Sequence, residues 1–373
     1  METPDRLRTA RRVVVKIGSA LVIEGETGTA RREWLEALAD DVVACRARGS
    51  QVVVVSSGAI ALGRRRLGLA PGALKLEEKQ AAAAAGQAHL MEAYQSAFGR
   101  HCVAIAQVLL TLDDTEQRRR HLNARGTLRA LLDLKAVPIV NENDTVATEE
   151  IRFGDNDRLA ARVAVMIGAD LLVLLSDIDG LYTADPRRDK NASLVPMVDA
   201  VTPAIEAMAG AAQPGDSSGG MVTKIAAARI ATTGGCAMLI ADGRRPHPLR
   251  AIEAGAPSTH FRAEGEARSA WKRWIGGSLK PVGRVAIDKG AARALKAGGS
   301  LLPAGVVAID GAFERGDPVR VTDRDGHEVG RGLSAYSAED AKRIMGHKST
   351  EIEAILGYRG RDELIHRDDL VLV

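Results

Sequence analysis

Short runs of β-branched residues alternate with longer stretches rich in alanine and leucine from residue 12 to about residue 241. This alternation is typical of β-α-β units, in which helices cover both faces of a mostly parallel sheet. The predicted strands are 13–17, 51–56, 103–110, 137–141, 171–176 and 237–240. The predicted helices are 31–48, 77–98, 114–132, 157–167 and 221–232. The pattern therefore predicts a three-layer α/β/α sandwich.

The alternation breaks at residues 264–283, where a charged stretch, two tryptophans, paired glycines and a proline follow one another. Such composition marks a domain boundary. Beyond it, short strands separated by glycine turns and one partly helical piece indicate a small, mostly β domain. We expect a large domain over residues 1–265, a linker over 266–280 and a small β domain over 281–373.

Composition changes this picture little. Hydrophobic residues make up 46% of the 373 residues and charged residues 27%, as in ordinary globular proteins. The net charge of +3 gives no strong attraction to nucleic acid or to a membrane surface. The N-terminus is polar and no apolar stretch is long enough to cross a bilayer, so a cytoplasmic location is expected. The three cysteines lack CxxC spacing and are interpreted as reduced core residues.

Candidate chemistry lies after the predicted strands, because ligands of open parallel sheets bind at the carboxyl ends of strands. Lys16 follows three valines, so alternation directs its ammonium toward the core. It is either a phosphate-binding cation or a strand-end lysine that reaches back to solvent. Ser57 follows the second strand and is either a ligand of an anion or an ordinary helix N-cap.

The densest polar cluster combines residues 141–144 with residues 154–157. Asparagine amides can both donate and accept, which suits the ammonium and carboxylate of an amino acid, and Asp144 can accept from an ammonium. The alternative is a polar turn followed by a helix that Asp155 caps.

Two further segments can bind a nucleotide. Residues 215–224 form a glycine-rich loop that leads into a helix with Lys224 in its first turn, and they do not match the P-loop pattern. Free amides, a helix N-terminus and an ammonium still suit phosphates, although a flexible surface loop has the same composition. Ser176 and Asp177 open a turn-rich segment that is either part of a site or a plain connection.

Together and in this order, these segments resemble the amino acid kinase family. The stretches that carry the resemblance are VVVKIGSALV, VVVVSSGAIALG, PIVNENDTV, FGDNDRLAARVA, LLVLLSDIDGLYTADPR and GGMVTKIAAARIA. The run GAARALKAGGSLLPAGVVAIDGAFERGDPV is similar to a PUA domain. The resemblance implies ATP-dependent phosphorylation of the side-chain carboxylate of glutamate with Mg²⁺, for proline synthesis. It also implies feedback inhibition by proline and a homo-oligomer.

The resemblance also implies residue roles. Lys16 and Lys224 would contact the transferring phosphoryl group, and Asp157 would orient both lysines. Glutamate would be held by Ser57, Asp144 and Asn156. ATP would be held by Lys16, Ser176, Asp177, Ser218, Gly219, Gly220, Met221, Val222, Thr223 and Lys224. The family more often has threonine at positions 56 and 176, and serine keeps the hydroxyl.

The implied chemistry agrees with these residue types. A side-chain carboxylate with a pKa of about 4.3 is ionised at neutral pH, so it needs no general base. It does need relief from repulsion, since two like charges 4 Å apart repel by about 4 kcal/mol at an effective dielectric of 20. Two lysines and a Mg²⁺ held mainly by ATP oxygens would supply that relief. We predict no metal ligand among the side chains.

Three alternatives stay open. PUA domains occur in RNA-binding proteins, but 14 basic residues face 15 acidic ones from residue 281 onward, which leaves no basic excess for RNA. A kinase of the same fold that acts on another small acid or phosphate differs only in its substrate. A regulatory protein without catalysis is disfavoured by the presence of both Lys16 and Lys224.

Overall fold

The computed structural model describes residues 3–25, 28–70, 72–146, 155–210, 220–265 and 280–373. Contacts within the chain divide it into two units, Met1–Ala267 and Arg268–Val373. Within the described residues, no helix has the length and apolar character needed to cross a membrane.

An eight-stranded sheet forms the centre of the first unit, in the order β3-β4-β2-β1-β5-β7-β8-β6. The strands are β1 Arg12–Ile17, β2 Gln51–Val55, β3 Ile105–Leu110, β4 Val137–Glu142, β5 Leu171–Ser176, β6 Met197–Val198, β7 Ala237–Asp242 and β8 Ser258–Phe261. The six strands from β3 to β7 in this order are parallel, and β8 runs antiparallel to β7. Six parallel neighbours bring the carboxyl ends of these strands to one edge of the sheet.

Helices cover both faces of this sheet. They are α1 Thr3–Thr9, α2 Ser19–Val22, α3 Arg32–Ala47, α4 Ala59–Arg66, α5 Leu76–Gly99, α6 Leu112–Glu116, α7 Arg118–Asp133, α8 Asp155–Ile167, α9 Pro203–Met208, α10 Met221–Thr233 and α11 Pro248–Glu253. Side chains of α3 and α5 form one core with the sheet, and side chains of α7, α8 and α10 form a second core on its other face. The predicted α/β/α sandwich is confirmed.

Alternation along the strands decides which layer each side chain meets. In β1, Val13 and Val15 face the core of α3 and α5, whereas Val14 faces the core of α8 and α10. Because successive side chains of a strand point to opposite faces, Lys16 lies on the same face as Val14. The same rule puts Ser56, which follows β2, on the face of α5.

Helices α4 and α5 pack with their backbones in contact. A Cβ atom added at Gly63 would lie 1.7 Å from the carbonyl oxygen of Ala82, and one added at Gly86 would lie 1.8 Å from that of Ala59. The alanine run at residues 81–85 lies in this contact. Only glycine at the two crossing points permits it.

Several boundaries differ from the predictions. The helix expected over 114–132 is broken into α6 and α7 at Gln117, which has an extended backbone. The strand expected from residue 103 begins at Ile105, and Cys102 lies exposed in the preceding turn, so its prediction as a core residue was wrong. Cys45 and Cys236 are buried as expected.

The second unit contains a separate five-stranded sheet in the order β10-β9-β11-β12-β13. Its strands are β9 Gly283–Ile287, β10 Val306–Gly311, β11 Pro318–Thr322, β12 Glu328–Leu333 and β13 Leu370–Leu372. Its helices are α12 Lys289–Lys296, α13 Ala338–Ile344 and α14 Ile352–Leu356, with 3₁₀ turns at Pro303–Gly305, Ser349–Glu351 and Arg367–Asp369. A core of its own fills this unit, and the predicted small, mostly β domain is confirmed.

Candidate active site

A buried carboxylate joins the ends of β1, α8 and α10. Asp157, in the first turn of α8, is fully buried, and its Oδ1 lies 2.6 Å from Nζ of Lys16. Its Oδ2 lies 3.7 Å from Nζ of Lys224, in the first turn of α10. Lys16 is only 7% exposed, so it does not reach back to solvent as a strand-end lysine would. Three residues that lie far apart in the chain therefore form one ionic cluster.

The two lysines favour the ionised form of the Asp157 carboxyl group. Burial alone would raise the pKa of Asp157, but the ammonium groups of Lys16 and Lys224 hold it below the usual range. Burial lowers the pKa of Lys224, and the Asp157 carboxylate opposes that change. The hydroxyl of Thr223 lies 2.9 Å from Asp157 Oδ2 and 2.9 Å from the carbonyl oxygen of Gly220. Lys16, Lys224 and Thr223 thus all interact with the Asp157 carboxylate.

A second polar group lies at the ends of β2 and β4. Asn156 Nδ2 donates to Ser57 Oγ at 2.8 Å, to the carbonyl oxygen of Ser56 at 3.0 Å and to Asn141 Oδ1 at 3.2 Å. Asn141 in turn donates to Gln87 of α5 at 2.9 Å. The structure thus brings together Ser57, Asn156 and Asn141 from the clusters that the sequence singled out.

The turn after β2 is fixed by its own contacts. Ser56 is fully buried, and its Oγ accepts from the buried hydroxyl of Tyr94 at 2.9 Å. Gly58 is the N-cap of α4 and has a left-handed backbone with φ of 105°. Ser57 is therefore not the N-cap of that helix, and its hydroxyl takes part in the group around Asn156.

The remaining predicted residues lie on neighbouring loops. Asp144 follows β4 and is 8% exposed. Ser176 ends β5 and donates to Asp177 at 3.1 Å, while Asp177 is exposed and lies 3.5 Å from Nη2 of Arg187. The negative charge of Asp177 acts on Lys224, which relates this loop electrostatically to the lysine.

The glycine-rich loop is described only where it enters α10. Gly220 is the N-cap of α10, and Met221 and Val222 begin the helix. The predicted ATP contacts Ser218 and Gly219 lie outside the described residues. The first amides of a helix have no acceptor within it, and its N-terminus favours negative charge. The described end of the loop can therefore accept a phosphate.

Each of the two units matches a known protein family. Residues 11–242 match the amino acid kinase family, and residues 283–356 match the PUA domain. The chain belongs to the amino acid kinase family. The glutamate 5-kinase of Paramagnetospirillum magneticum is 62% identical over 366 residues, which cover 98% of this chain and 99% of that protein. The glutamate 5-kinase of Brucella ovis is 59% identical over 367 residues, 98% of this chain and 97% of that one.

The fold of the family is also found in a solved structure. The carbamate kinase from Giardia lamblia bound to AMP-PNP superposes with a TM-score of 0.50 at 15% identity, and the match covers 69% of this chain and all of that one. The expectations of a kinase and of a C-terminal PUA domain are confirmed by these matches. The described cluster of Lys16, Asp157 and Lys224 lies within the matched residues 11–242.

Two contributors to this amino acid kinase site were not singled out from the sequence. Gln87 and Tyr94 lie seven residues apart in α5, two helical turns, and therefore on one face of the helix. Both are buried and contact the ends of β4 and β2. A glutamine and a tyrosine in an alanine-rich helix do not by themselves indicate a functional site. Two polar side chains on the core-facing side of a helix do, however, require hydrogen-bond partners within the fold.

Proposed function

We propose that the chain transfers the γ-phosphoryl group of ATP to the side-chain carboxylate of L-glutamate, which yields L-glutamyl 5-phosphate for proline biosynthesis. The observation that carries the proposal is the pair of buried lysines held by Asp157 at the carboxyl edge of the sheet. The names of relatives at 59–62% identity give the substrate.

The two lysines would offset the negative charge of the reacting groups. The attacking carboxylate and the phosphoryl group are both anionic, and two charges 4 Å apart repel by about 4 kcal/mol at an effective dielectric of 20. Ammonium groups fixed before the reaction stabilise the transition state without reorganisation. Asp157, whose pKa is held low by its two lysines, stays ionised and orients them rather than accepting a proton.

The nucleotide would lie at the edge formed by β5 and α10. We assign its binding to Lys16, Ser176 and Asp177 and to the residues from Ser218 to Lys224. The N-terminus of α10 supports this assignment. The backbone amides of its first turn and the ammonium group of Lys224 both create a positive potential there, which favours phosphate. In-line positioning of the phosphate between the lysines would then supply the rest of catalysis.

Glutamate would be held by Ser57, Asn156 and Asp144. A hydroxyl and an amide suit its carboxylate, and a carboxylate suits its ammonium. Support comes from the contact of Ser57 with Asn156 at 2.8 Å and from the burial of Asp144. Ser57 and Asp144 follow β2 and β4, and Asn156 lies in the first turn of α8. Strand β2 is the direct neighbour of β1, which carries Lys16.

Magnesium would be held mainly by the phosphate oxygens of ATP. Both oxygens of Asp157 already face cations or a hydroxyl, so this carboxylate does not fit a metal ion. In the described part of the first unit, no three carboxylate, imidazole or thiol groups lie close enough together to hold an ion. Mg²⁺ that arrives with ATP would neutralise phosphate charge.

The test measures release of ADP from ATP and Mg²⁺ with each of five phosphoryl acceptors in turn: glutamate, aspartate, N-acetylglutamate, carbamate and UMP. Hydroxylamine is present to trap an acyl phosphate. We expect ADP and a hydroxamate with glutamate alone. Preference for another acceptor would remove the assignment of glutamate and leave a kinase of the same family.

Four further proposals depend on the resemblance to the family or on the sequence pattern. They are inhibition by proline, a homo-oligomer, a cytoplasmic location, and the domain limits 1–265, 266–280 and 281–373. We propose that the PUA domain acts in assembly or regulation, because every residue assigned to catalysis precedes it in the chain.

A further inference from the structure

A chain of amides and hydroxyls leads from the interior of α5 to the substrate side of the site. It consists of Gln87, Asn141, Asn156 and Ser57, joined by hydrogen bonds of 2.9, 3.2 and 2.8 Å. Gln87 and Asn141 are 8% and 2% exposed, while Asn156 and Ser57 are half-buried. The buried end of the chain is therefore Gln87, and the accessible end is Ser57.

Backbone groups fix the direction of these hydrogen bonds. The backbone N–H of Glu142 can only donate, and it donates to Asn141 at 2.9 Å, so the atom it meets is Oδ1. The carbonyl oxygen of Ser56 can only accept, and it accepts from Asn156 at 3.0 Å, so that atom is Nδ2. Neither amide can be turned over without losing a bond to the main chain.

Gln87 completes this arrangement. With its Oδ1 turned to Glu142 and Asn156, Asn141 has its Nδ2 directed into the protein, where Gln87 Oε1 accepts. The Nε2 atom of Gln87 is buried and has no hydrogen-bond partner within the described chain. A buried amide that leaves one end unsatisfied while it holds a neighbour is unusual in a helix core, and such exceptions occur at functional sites.

At the accessible end of the chain, the directions of these hydrogen bonds determine whether the Ser57 hydroxyl donates or accepts. Because Ser57 Oγ accepts from Asn156, its own hydrogen is left to donate. We propose that Gln87 is a positioning residue for substrate binding, which acts through Asn141 and Asn156 to keep the Ser57 hydroxyl directed as a donor to a carboxylate of the acid substrate. This inference depends on the proposed function, since it concerns the same site.

The test compares Gln87→Met, which keeps the size and removes the acceptor, with the wild-type enzyme. We expect the KM for glutamate to rise about tenfold, the effect of one unsatisfied buried donor, with the KM for ATP and kcat within about twofold. Gln51→Met is the matched control. Gln51 accepts from Arg12 at 2.9 Å at the opposite ends of the strands, so its loss breaks a similar bond away from the site.

A double-mutant cycle separates positioning from general loosening of the fold. If Gln87 acts through Asn156, Gln87→Met adds nothing to the glutamate KM of Asn156→Ala. Gln87→Glu gives a second readout, because a buried carboxyl is held neutral and its carbonyl oxygen still accepts from Asn141. We expect that variant to keep the glutamate KM within about threefold, below the effect of a lost hydrogen bond.

Three outcomes would overturn the inference while the proposed function stands. They are a wild-type glutamate KM in folded Gln87→Met, a rise in the KM for ATP equal to that for glutamate, and full additivity with Asn156→Ala. If Gln87→Met does not fold, a tenfold loss in Gln87→Glu would overturn it as well. Failure of the wild-type enzyme to phosphorylate glutamate is a different result, because it removes the proposed substrate itself.

Discussion

Asp157 Oδ1 lies 2.6 Å from Lys16 Nζ, with both side chains almost completely removed from solvent. A buried pair of this kind contributes little net stability, but loss of one partner is costly because a charge is left buried without compensation. Here the loss of Asp157 would leave two ammonium groups facing each other. We therefore propose that the pair serves the arrangement of the lysines rather than the stability of the fold.

Asp157→Asn tests that relationship. We expect the free energy of unfolding to fall by about 3 kcal/mol and kcat to fall at least about a hundredfold, because both lysines lose their counter-charge. Urea denaturation and steady-state kinetics measure the two effects. Glu36→Gln is the control, since Glu36 forms an exposed pair with Arg100 at 2.8 Å, and such pairs contribute about 0–1 kcal/mol. Normal kcat in Asp157→Asn would contradict the assigned role.

Lys224→Ala should lower kcat by at least about a hundredfold, the usual effect of losing one transition-state charge contact. The KM for glutamate should change less, because the lysine is assigned to the phosphoryl group. Lys79→Ala in α5 serves as the control for removal of a lysine. Near-normal turnover in a folded Lys224→Ala enzyme would show that this ammonium does not act on the reaction.

The alkaline limb of the pH profile should report Lys224. Burial lowers its pKa below the ordinary value of 10.5, and nearby Lys16 adds to that change while Asp157 opposes it. Because we propose that the protonated lysine acts on the phosphoryl group, kcat/KM should decline as pH rises at values below 10.5. In Lys224→Arg, which stays protonated, any residual activity should lack this decline. A wild-type profile that is flat up to pH 10.5 would contradict the prediction.

Strands with an unbroken apolar run were predictable from the chain. Leu171–Ser176 has the predicted bounds, because every residue of it is buried between two helical layers and the sequence shows an unbroken apolar run. The short strand Met197–Val198 at the edge of the sheet and the short strand Ser258–Phe261 beside it were not predicted. Their pairing depends on partners far away in the chain, and two to four residues carry no measurable period.

The site was predictable where it lies on loops after strands. Lys16 was identified by a charge at a core-facing position, and its burial with Asp157 agrees with that reasoning. Gln87 was missed because its hydrogen bond with Asn141 crosses the α5–sheet interface, which no local sequence pattern reports. The assigned roles of the site residues stay predictions until kinetics tests them.

The contact between α4 and α5 should not tolerate a side chain at Gly86. A methyl group there would lie 1.8 Å from the carbonyl oxygen of Ala59, the first residue of the helix that follows Ser57 and Gly58. We expect Gly86→Ala to lower the free energy of unfolding by about 3 kcal/mol or more, as overpacking against rigid backbone does. It should also raise the KM for glutamate by moving the start of α4.

Gly99→Ala in the same helix provides the comparison. No atom lies within 4 Å of an added methyl group there, so its effect should be within about 0.5 kcal/mol, as for other surface changes. Urea denaturation of the two variants measures the difference. Equal stability of Gly86→Ala and Gly99→Ala would mean that the two helices do not pack as closely as the structure has them.

His260 should make the fold sensitive to acid. It is fully buried in β8, with Nδ1 3.1 Å from Met197 Sδ. Burial, together with the positive charges of Arg6 and Arg262, lowers the pKa of His260 from 6.5 to about 4. Between these two values the unfolded chain binds a proton that the folded chain does not, so the free energy of unfolding falls as pH decreases through this range.

Urea denaturation at pH 7 and pH 5 measures this contribution of His260. We expect the loss of stability between the two pH values to be smaller in His260→Gln than in the wild-type protein, because glutamine does not titrate. His347→Gln is the control, since His347 is exposed and its ring lies 3.8 Å from Glu351 at the surface. If both variants lost as much stability as the wild type, His260 would have to take up its proton equally readily in the folded and unfolded states, contrary to its burial beside two arginines.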